Sequence, residues 1–326
     1  MHKVLVVGDA NVDIIVPYPR FLNKTKTLVA YPTPSLQGGG TSANTATALA
    51  RLGIPTAFMG TIGDDQYGKY IKEDFKREGV DTTALIVDPA LNTVGVFAFI
   101  DENGERYLWG WPRVNQAFKE LKKDNIDYDN IYKMSWIHSS GMSLVYDTSA
   151  RSSIIEIFKN AWERNIPTSF DLNLRVDNGK IEPDYENAVR EIIEYTSYLL
   201  GSGTDEFYYL GKPGDWRYNA QSFVTDRRTV IVRNGKAGSM AFTEEDVIEM
   251  PAFSVKVEDT VGAGDVYNAG FISAKLLGYG MEQCLTIGNA VSAYTIERKG
   301  ARSSPHLENL RAFLDKHKAA IDEKYL

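Results

Sequence analysis

Near the end of the chain, Asp259–Asp265 (DTVGAGD) runs straight into a long amphipathic stretch. Gly262 and Gly264 flank Ala263, so consecutive backbone N–H groups can turn to one side. Val266, Ala269, Gly270, Ala274 and Leu277 then recur at helical spacing, which makes the glycine turn a helix N-terminus. Backbone N–H groups at the positive end of a helix dipole form an anion site. Asp265 falls in that first turn, a carboxylate where a phosphate would also be welcome. The pairing points to phosphoryl transfer: amides to hold developing negative charge, and a base to take a proton from an attacking hydroxyl. The plainer alternative is a helix after a flexible turn, with Asp265 serving the dipole alone.

Three further polar groups stand at places where chemistry could occur. Gly38–Asn44 (GGGTSAN) opens another helix; its glycines allow close backbone approach, and Asn44 can offer an amide to a hydroxylated ligand. Upstream, GDANVD sets Asn11 and Asp13 two residues apart beyond a strand, where alternation turns both to one side. A carboxylate there suits a vicinal diol; the alternative is a turn or cap residue. The third group, DLNLR, carries Asp171, Asn173 and Arg175 off the C-terminal end of a strand. Arg175 is either a reader of carboxylate or phosphate, or a surface residue.

The elements that must position these groups alternate. Short apolar runs at Lys3–Gly8, Pro55–Gly60, Met134–Ser139, Thr168–Leu172, Ser197–Leu200 and Thr229–Arg233 read as strands, with a strand pair in Ser239–Met250. Between them Thr41–Leu52, Asp65–Glu78, Thr148–Arg164 and Tyr185–Tyr195 read as helices, and more follow Gly262, Met281 and Pro305. That alternation predicts an α/β fold, a mostly parallel sheet with helices on both faces, and ligands outside the carboxyl ends of the strands. Two segments break it. Residues 14–37 hold four prolines without a helical period, and Thr93–Trp111 reads as a hairpin turning at Asp101–Gly104. Together, as about 14–37 and 92–112, they predict a small β-sheet lid on one domain spanning 1–326. Such a lid could close over a ligand or meet a second subunit.

Composition narrows the function classes. The chain has 326 residues and a formal net charge of −7, which argues against a general nucleic-acid or anionic-membrane surface. The single cysteine, Cys284, excludes an intramolecular disulfide and falls in a helical apolar run as buried filler. Four histidines without CxxC or HExxH make a zinc site a poor reading. No window approaches a membrane span and no signal-peptide core is present, so the expectation is a cytoplasmic protein.

Taken together, these motifs resemble the PfkB (ribokinase-like) family of carbohydrate kinases over nearly the whole chain. The two signatures stand as GGGTSANTATALARLG, Gly38 to Gly53, and DTVGAGDVYNAG, Asp259 to Gly270. The resemblance implies a ribokinase-like domain with a β lid, a homodimer formed through that lid, and transfer of the ATP γ-phosphoryl group to a sugar hydroxymethyl. It implies Asp265 as base and Gly262, Ala263 and Gly264 as anion hole. Asn11, Asp13, Gly39, Gly40 and Asn44 become sugar contacts. RNGKAG, with Arg233, Gly235 and Gly238, resembles the nucleotide loop, and Asn289 matches a position beside adenine. Asp259, the backbone of Val261 and the stretch from Gly300 resemble a monovalent-cation site, although the requirement for potassium varies across the family.

One departure stands out. Where the family has NxxE, acting on phosphates and magnesium hydration, this chain has GTDE: Glu206 remains as the residue reaching magnesium through water, but Gly203 replaces asparagine. That keeps a non-catalytic binding relative in view. DLNLR resembles the motif of fructokinases and 2-keto-3-deoxygluconate kinases, which implies Asn173 and Arg175 at the sugar end, with Arg113 near a lid arginine of that group. Trp109 and Trp111 would cover the sugar or build the lid's own core. The substrate expectation is a ketose or keto-sugar acid, with a nucleoside or other polyol as the alternative.

Overall fold

Runs of Val, Leu, Ile and Phe bounded by glycine or polar residues form strands covered on both faces, and the amphipathic runs between them supply the covering helices. The computed structural model describes residues 3–17, 33–100, 106–111, 113–319 and 321. In chain order, β1 (Val4–Val7) leads through β2 (Asn11–Pro17) and β3 (Ser35–Gly39) into α1 (Thr41–Arg51). Next come β4 (Thr56–Gly63), α2 (Gln66–Arg77), β5 (Leu85–Asp88), the pair β6 (Gly95–Ile100) and β7 (Arg106–Gly110), and the single turn α3 (Tyr128–Ile131). The middle of the chain runs β8 (Trp136–Ser140), α4 (Ser149–Glu163), β9 (Thr168–Asp171), β10 (Val176–Asp177), β11 (Lys180–Ile181), α5 (Pro183–Ile193) and β12 (Tyr198–Ser202). After α6 (Trp216–Ser222) come β13 (Thr229–Arg233), β14 (Ser239–Phe242), β15 (Val247–Met250), α7 (Ala263–Leu276), α8 (Met281–Ile296) and α9 (Leu307–Lys316).

The main sheet has nine strands in the order β15-β14-β13-β12-β9-β8-β1-β4-β5. It is parallel from β13 to β5, with β14 and β15 antiparallel at one edge. Val4 and Val6 point to one side, where Leu49, Phe75, Phe271, Leu285 and Phe313 of the covering helices bury them. Leu5 and Val7 point to the other, against Phe158, Ile192 and Ala220. Strand order reverses at β1, so the ligand crevice expected of such sheets lies beyond the carboxyl ends of β1 and its neighbours. Cys284 is a buried core residue, as its helical context implied. No helix among the described residues is long and apolar enough to cross a membrane.

The second sheet, β3-β2-β6-β7, is the expected lid, starting a little earlier than residue 14 and running to Gly39. Residues 18–32 and the turn at 101–104 lie outside the described residues. Its register puts Asn11, Asp13, Gln37, Gly39 and Val96 on one face and Ile14, Gly95, Phe97 and Trp109 on the other. The second face is aromatic. Phe97 stacks on Trp109 at 5.5 Å and packs against Trp111 at 5.9 Å, and Trp111 meets Tyr67 of α2 edge-on. Trp111 therefore packs against the core, while Trp109, on the same face turned away from Asp13, stays largely exposed.

Arg113 is bound to protein groups at the end of the lid. Its Nη1 donates to Asp65 Oδ2 (2.6 Å) and to the Thr93 carbonyl (2.7 Å), its Nη2 to Asn92 Oδ1 (2.8 Å), and its guanidinium lies over Trp111. Asp65 is also the N-cap of α2, accepting from Tyr67 N (3.1 Å) and Gly68 N (2.8 Å). The arginine fastens the end of the lid to the main body through a helix cap. The small β10–β11 hairpin also went unread in the sequence. Its signal was there: Asn178-Gly179, both at positive φ (48° and 75°), is the turn pair that two-residue hairpins favour.

Losing the Asp65 cap and leaving Arg113 without its carboxylate should destabilise Asp65→Ala by about 1–2 kcal/mol. Asp65→Asn, which keeps a cap oxygen, should lose less. Urea unfolding reads both; a wild-type midpoint for Asp65→Ala would remove this anchor from the account.

Candidate active site

The crevice begins with Asp9, which the sequence reading passed over. It follows β1 and accepts from Thr41 N (2.9 Å), Thr41 Oγ1 (2.9 Å) and Ser42 N (3.2 Å). Gly40, the N-cap of α1, has no side chain to give, so Asp9 caps that helix from a distance. Thr41 Oγ1 also meets Ser140 Oγ at the end of β8, 2.8 Å away. The glycines are needed here. Gly40 has φ 99°, and a Cβ on it would stand 2.7 Å from the Asp9 carbonyl. A Cβ on Gly39 would stand 2.5 Å from Asp13 Oδ1 and 2.8 Å from Asn11 Nδ2. Asn11 donates to Asp13 Oδ1 at 2.8 Å, so the proposed diol readers and both glycines form one surface.

One turn into α1, Asn44 Nδ2 donates to Asp265 Oδ2 at 2.8 Å, and Thr45 Oγ1 bonds the Asp265 carbonyl at 3.0 Å. These two bonds bring the starts of α1 and α7 together. Asn44 Oδ1 is buried without a partner. The start of α7 has Gly262 in the left-handed region (φ 77°) and no side-chain cap, which suits an anion site. Burial pushes the Asp265 carboxyl up to about 8, with the negative charges of Asp171 and Asp9 adding to the effect.

Beside it lies a buried ionic network. Asp171, 1% exposed, accepts from Arg233 Nη2 (2.7 Å) and from Asn268 Nδ2 (2.8 Å), one turn along α7 from Asp265. Arg233 Nη1 donates to Asn268 Oδ1 (2.7 Å) and to the Gly264 carbonyl (3.3 Å). Burial opposes the Arg233 charge, but Asp171 and Glu206 outweigh it and hold the guanidinium protonated. The Arg233 side chain thus turns inward, against the backbone at the start of α7.

Glu206 joins the same network. Its Oε1 accepts from Leu174 N (2.8 Å), and its Oε2 from Ser202 N (2.5 Å) and Arg233 Nη2 (3.3 Å). Burial and the neighbouring Asp171 push this carboxyl up. Both oxygens of Glu206 are thus engaged by protein donors. Among the described residues no group of three or more His, Cys, Asp or Glu is arranged to hold a metal ion directly. Gly203 also finds its reason. A Cβ there would stand 3.0–3.2 Å from the indole of Trp216, which covers the place of the usual asparagine side chain.

The remaining candidates divide. Gly238 (φ 100°) closes the turn after β13, Asn234 N bonding its carbonyl at 2.8 Å, and packs against the Met250 carbonyl. Asn289 Nδ2 donates to the carbonyls of Met250 (3.3 Å) and Pro251 (3.1 Å), so these two are brought together; Gly235 (φ 52°) faces open space. Asp259 accepts from Val261 N (3.0 Å) and Gly300 N (2.7 Å). Asn173 is held at φ 35° with its Oδ1 buried and unpartnered, the kind of strained orphan acceptor that functional sites keep. Arg175 is exposed, bonds the carbonyls of Asn173 and Leu174, and lines a hollow of about 400 Å³ beside the hairpin with Val145, Lys180 and Tyr185.

A sheet of this topology, with two glycine-started helices and a buried carboxyl meeting beyond its carboxyl end, fits a phosphotransferase acting on an alcohol group. The chain belongs to the PfkB family: the pfkB family carbohydrate kinase profile matches residues 1–308. It is 30% identical over 317 residues to an ATP-dependent ribose-1-phosphate kinase of Halopiger xanaduensis, covering 96% of this chain and 98% of that one. It is 26% identical over 289 residues to a 5-dehydro-2-deoxygluconokinase of Geobacillus thermodenitrificans, covering 86% and 85%. The fold matches that of a fructokinase from Xylella fastidiosa solved with bound ATP (TM-score 0.82, 21% identity, 97% and 99% covered). The protein is a sugar or nucleoside kinase of this family with a ribokinase-like fold.

If Asp265, its carboxyl pushed up to about 8, is the base, it must lose its proton before it acts, and kcat/KM should rise with pH and level off above about 8. Asp265→Asn should lose on the order of 10²–10⁴-fold in kcat. Stability should move oppositely. The unfolded carboxyl ionises near 3.8 and the folded one near 8, so this group's contribution is full below the first value and is lost as pH rises through the second. Asp265→Asn should therefore gain in Tm over wild type as pH goes from 4 to 8. Near-normal turnover in the variant would sink the assignment.

Proposed function

We propose that this kinase transfers the γ-phosphoryl group of ATP to a hydroxymethyl oxygen of a ketose or keto-sugar acid. The observation that carries the reading is the 2.8 Å bond from Asn44 to Asp265, which sets a carboxylate at the meeting of two helix starts. The acceptor hydroxyl gives its proton to Asp265 as its oxygen forms a bond to the γ-phosphorus. The bond to the β-phosphate oxygen breaks and ADP leaves. Charge developing on the phosphoryl oxygens is held by the backbone amides of Gly262, Ala263 and Gly264. Asp13 and Asn11 hold a vicinal diol, with Gly39 and Gly40 letting the sugar approach the backbone. Gly235, Gly238 and Asn289 border the nucleotide.

Magnesium would arrive with the nucleotide. For a monovalent cation, Asp259 and the backbone carbonyl of Val261 supply the hard oxygen chemistry such an ion takes. A homodimer through the lid is supported by Tyr107, Leu108 and Trp109, which are 57%, 64% and 55% exposed on edge strand β7. A second substrate reading, a ribosyl compound, is favoured by the similarity to the Halopiger xanaduensis enzyme.

The test is ADP release with ATP and magnesium over fructose, 2-keto-3-deoxygluconate, ribose, ribose 1-phosphate and nucleosides. A ketose or keto acid should give the highest kcat/KM; ribose 1-phosphate at the top would replace the substrate class and keep the mechanism. Arg175→Ala should cost about 2 kcal/mol, some thirtyfold, on the keto acid and much less on fructose, as expected when a carboxylate loses its partner. No loss on either would take Arg175 out of the site.

A further inference from the structure

A polar cluster behind the glycine strand takes no part in the chemistry above. Arg302 lies in the turn 300–304 between α8 and α9. Its Nε donates to the Gly38 carbonyl of β3 (3.0 Å), and its Nη2 approaches Asp74 Oδ2 of α2 at 3.6 Å. That separation is too long for a hydrogen bond, and Asp74 Oδ2 and Arg302 Nη1 are both buried without a partner. Gly38 is what lets the two side chains face each other. A Cβ there would run into the Asp74 carboxylate and stand 2.7 Å from Arg302 Nη2. The register turns Gly38 away from Asn11 and Asp13, so the first glycine of the triplet serves this cluster rather than the sugar.

The same turn reaches the anion hole. Gly300 N donates to Asp259 Oδ2 (2.7 Å) while Val261 N takes Oδ1 (3.0 Å), and Ala301 packs so closely that a Cβ on Gly262 would run into it. On its outer side the turn is braced by Arg51 of α1. Arg51 Nη1 holds the carbonyls of Arg302 (2.5 Å) and Ser304 (3.0 Å), and the guanidinium pairs twice with Glu78 (2.7 and 2.8 Å). A braced turn therefore links the strand that ends in Gly39 to the helix start at Gly262.

We propose that Arg302 is a positioning residue that ties sugar-side strand β3 to the anion hole, keeping the Gly262–Gly264 amides in register for a γ-phosphoryl group. The proposal rests on the phosphoryl-transfer reading, and its test separates the two. Binding of AMP-PNP, which carries a γ-phosphoryl group, is compared with binding of ADP, which lacks one, each with magnesium. Calorimetry on wild type, Arg302→Ala, Arg302→Lys and Gly38→Ala reads both ligands.

Losing a charge-assisted hydrogen bond should make Arg302→Ala and Gly38→Ala bind AMP-PNP about tenfold more weakly, with ADP affinity changed less than about twofold. Arg302→Lys, which can still reach the Gly38 carbonyl, should recover part of the loss. On the best acceptor of the panel, kcat should fall more than KM rises. Equal weakening of both nucleotides, or a lower Tm with neither weakened, would make Arg302 a structural clamp only and overturn the proposal. A wild-type protein that binds neither nucleotide would overturn the phosphoryl-transfer reading, and this proposal with it.

Discussion

The site depends on two helix starts held face to face. The α1 helix begins at a glycine with no side chain to cap it, and α7 begins at another. Each needs help from elsewhere in the chain. Asp9 caps α1 from the end of β1, and Asn44 then reaches across to Asp265 in the first turn of α7. Because β1 is where strand order reverses, both starts open onto the same crevice. The lid glycines, the carboxylate base and the amides for an anion all take their places from that arrangement.

The cost of the arrangement is electrostatic. Asp171 and Glu206 share one guanidinium, that of Arg233, and the Asp265 carboxyl is buried within reach of their charges. Burial and mutual repulsion raise Asp265 and Glu206 together, which a protein selected for stability alone would avoid. The strain has a use. A carboxylate whose proton affinity lies near the working pH is a better proton acceptor than one ionised at pH 4. Asn268 and Asp171 prevent collapse of the cluster by fixing Arg233 from two sides, and Arg233 in turn touches the Gly264 carbonyl. Hydrogen bonds thereby join Arg233, Asp171 and Asn268 to the backbone at the start of α7.

The lid joins that network through backbone rather than through its aromatic residues. Its register gives one face to Asn11, Asp13 and Gln37 and the other to a stack of rings packed toward α2. Arg113 pins the far end of the stack to the cap of α2, so the lid has a fixed base from which its polar face meets the crevice. Division of labour between faces follows from the period of two in a strand: Gly39 serves the ligand side, and its neighbour Gly38 serves the arginine behind.

Local features were legible from residues alone. Period and punctuation placed most of the alternating strands and helices, and two glycine-rich signatures marked the helix starts, because a helix start and a strand need only their own few residues to declare themselves. The side chains whose protein partners the sequence did not announce all find them far along the chain. Arg233 and Asp171 are 62 residues apart, Arg113 and Asp65 48. Glu206 lies 32 residues from the Leu174 amide it accepts, and nothing around Gly203 announces that Trp216 will cover it. Charge type and spacing say what a residue is able to bind. Which binding occurs is decided by what the folded chain brings within about 3 Å, and for a buried arginine the nearest carboxylate wins because leaving either group unpaired costs several kcal/mol. Residue types and their local order thus determined the class of chemistry and its helix starts; the crossing of distant strands decided which charges serve the ligand and which hold the protein together.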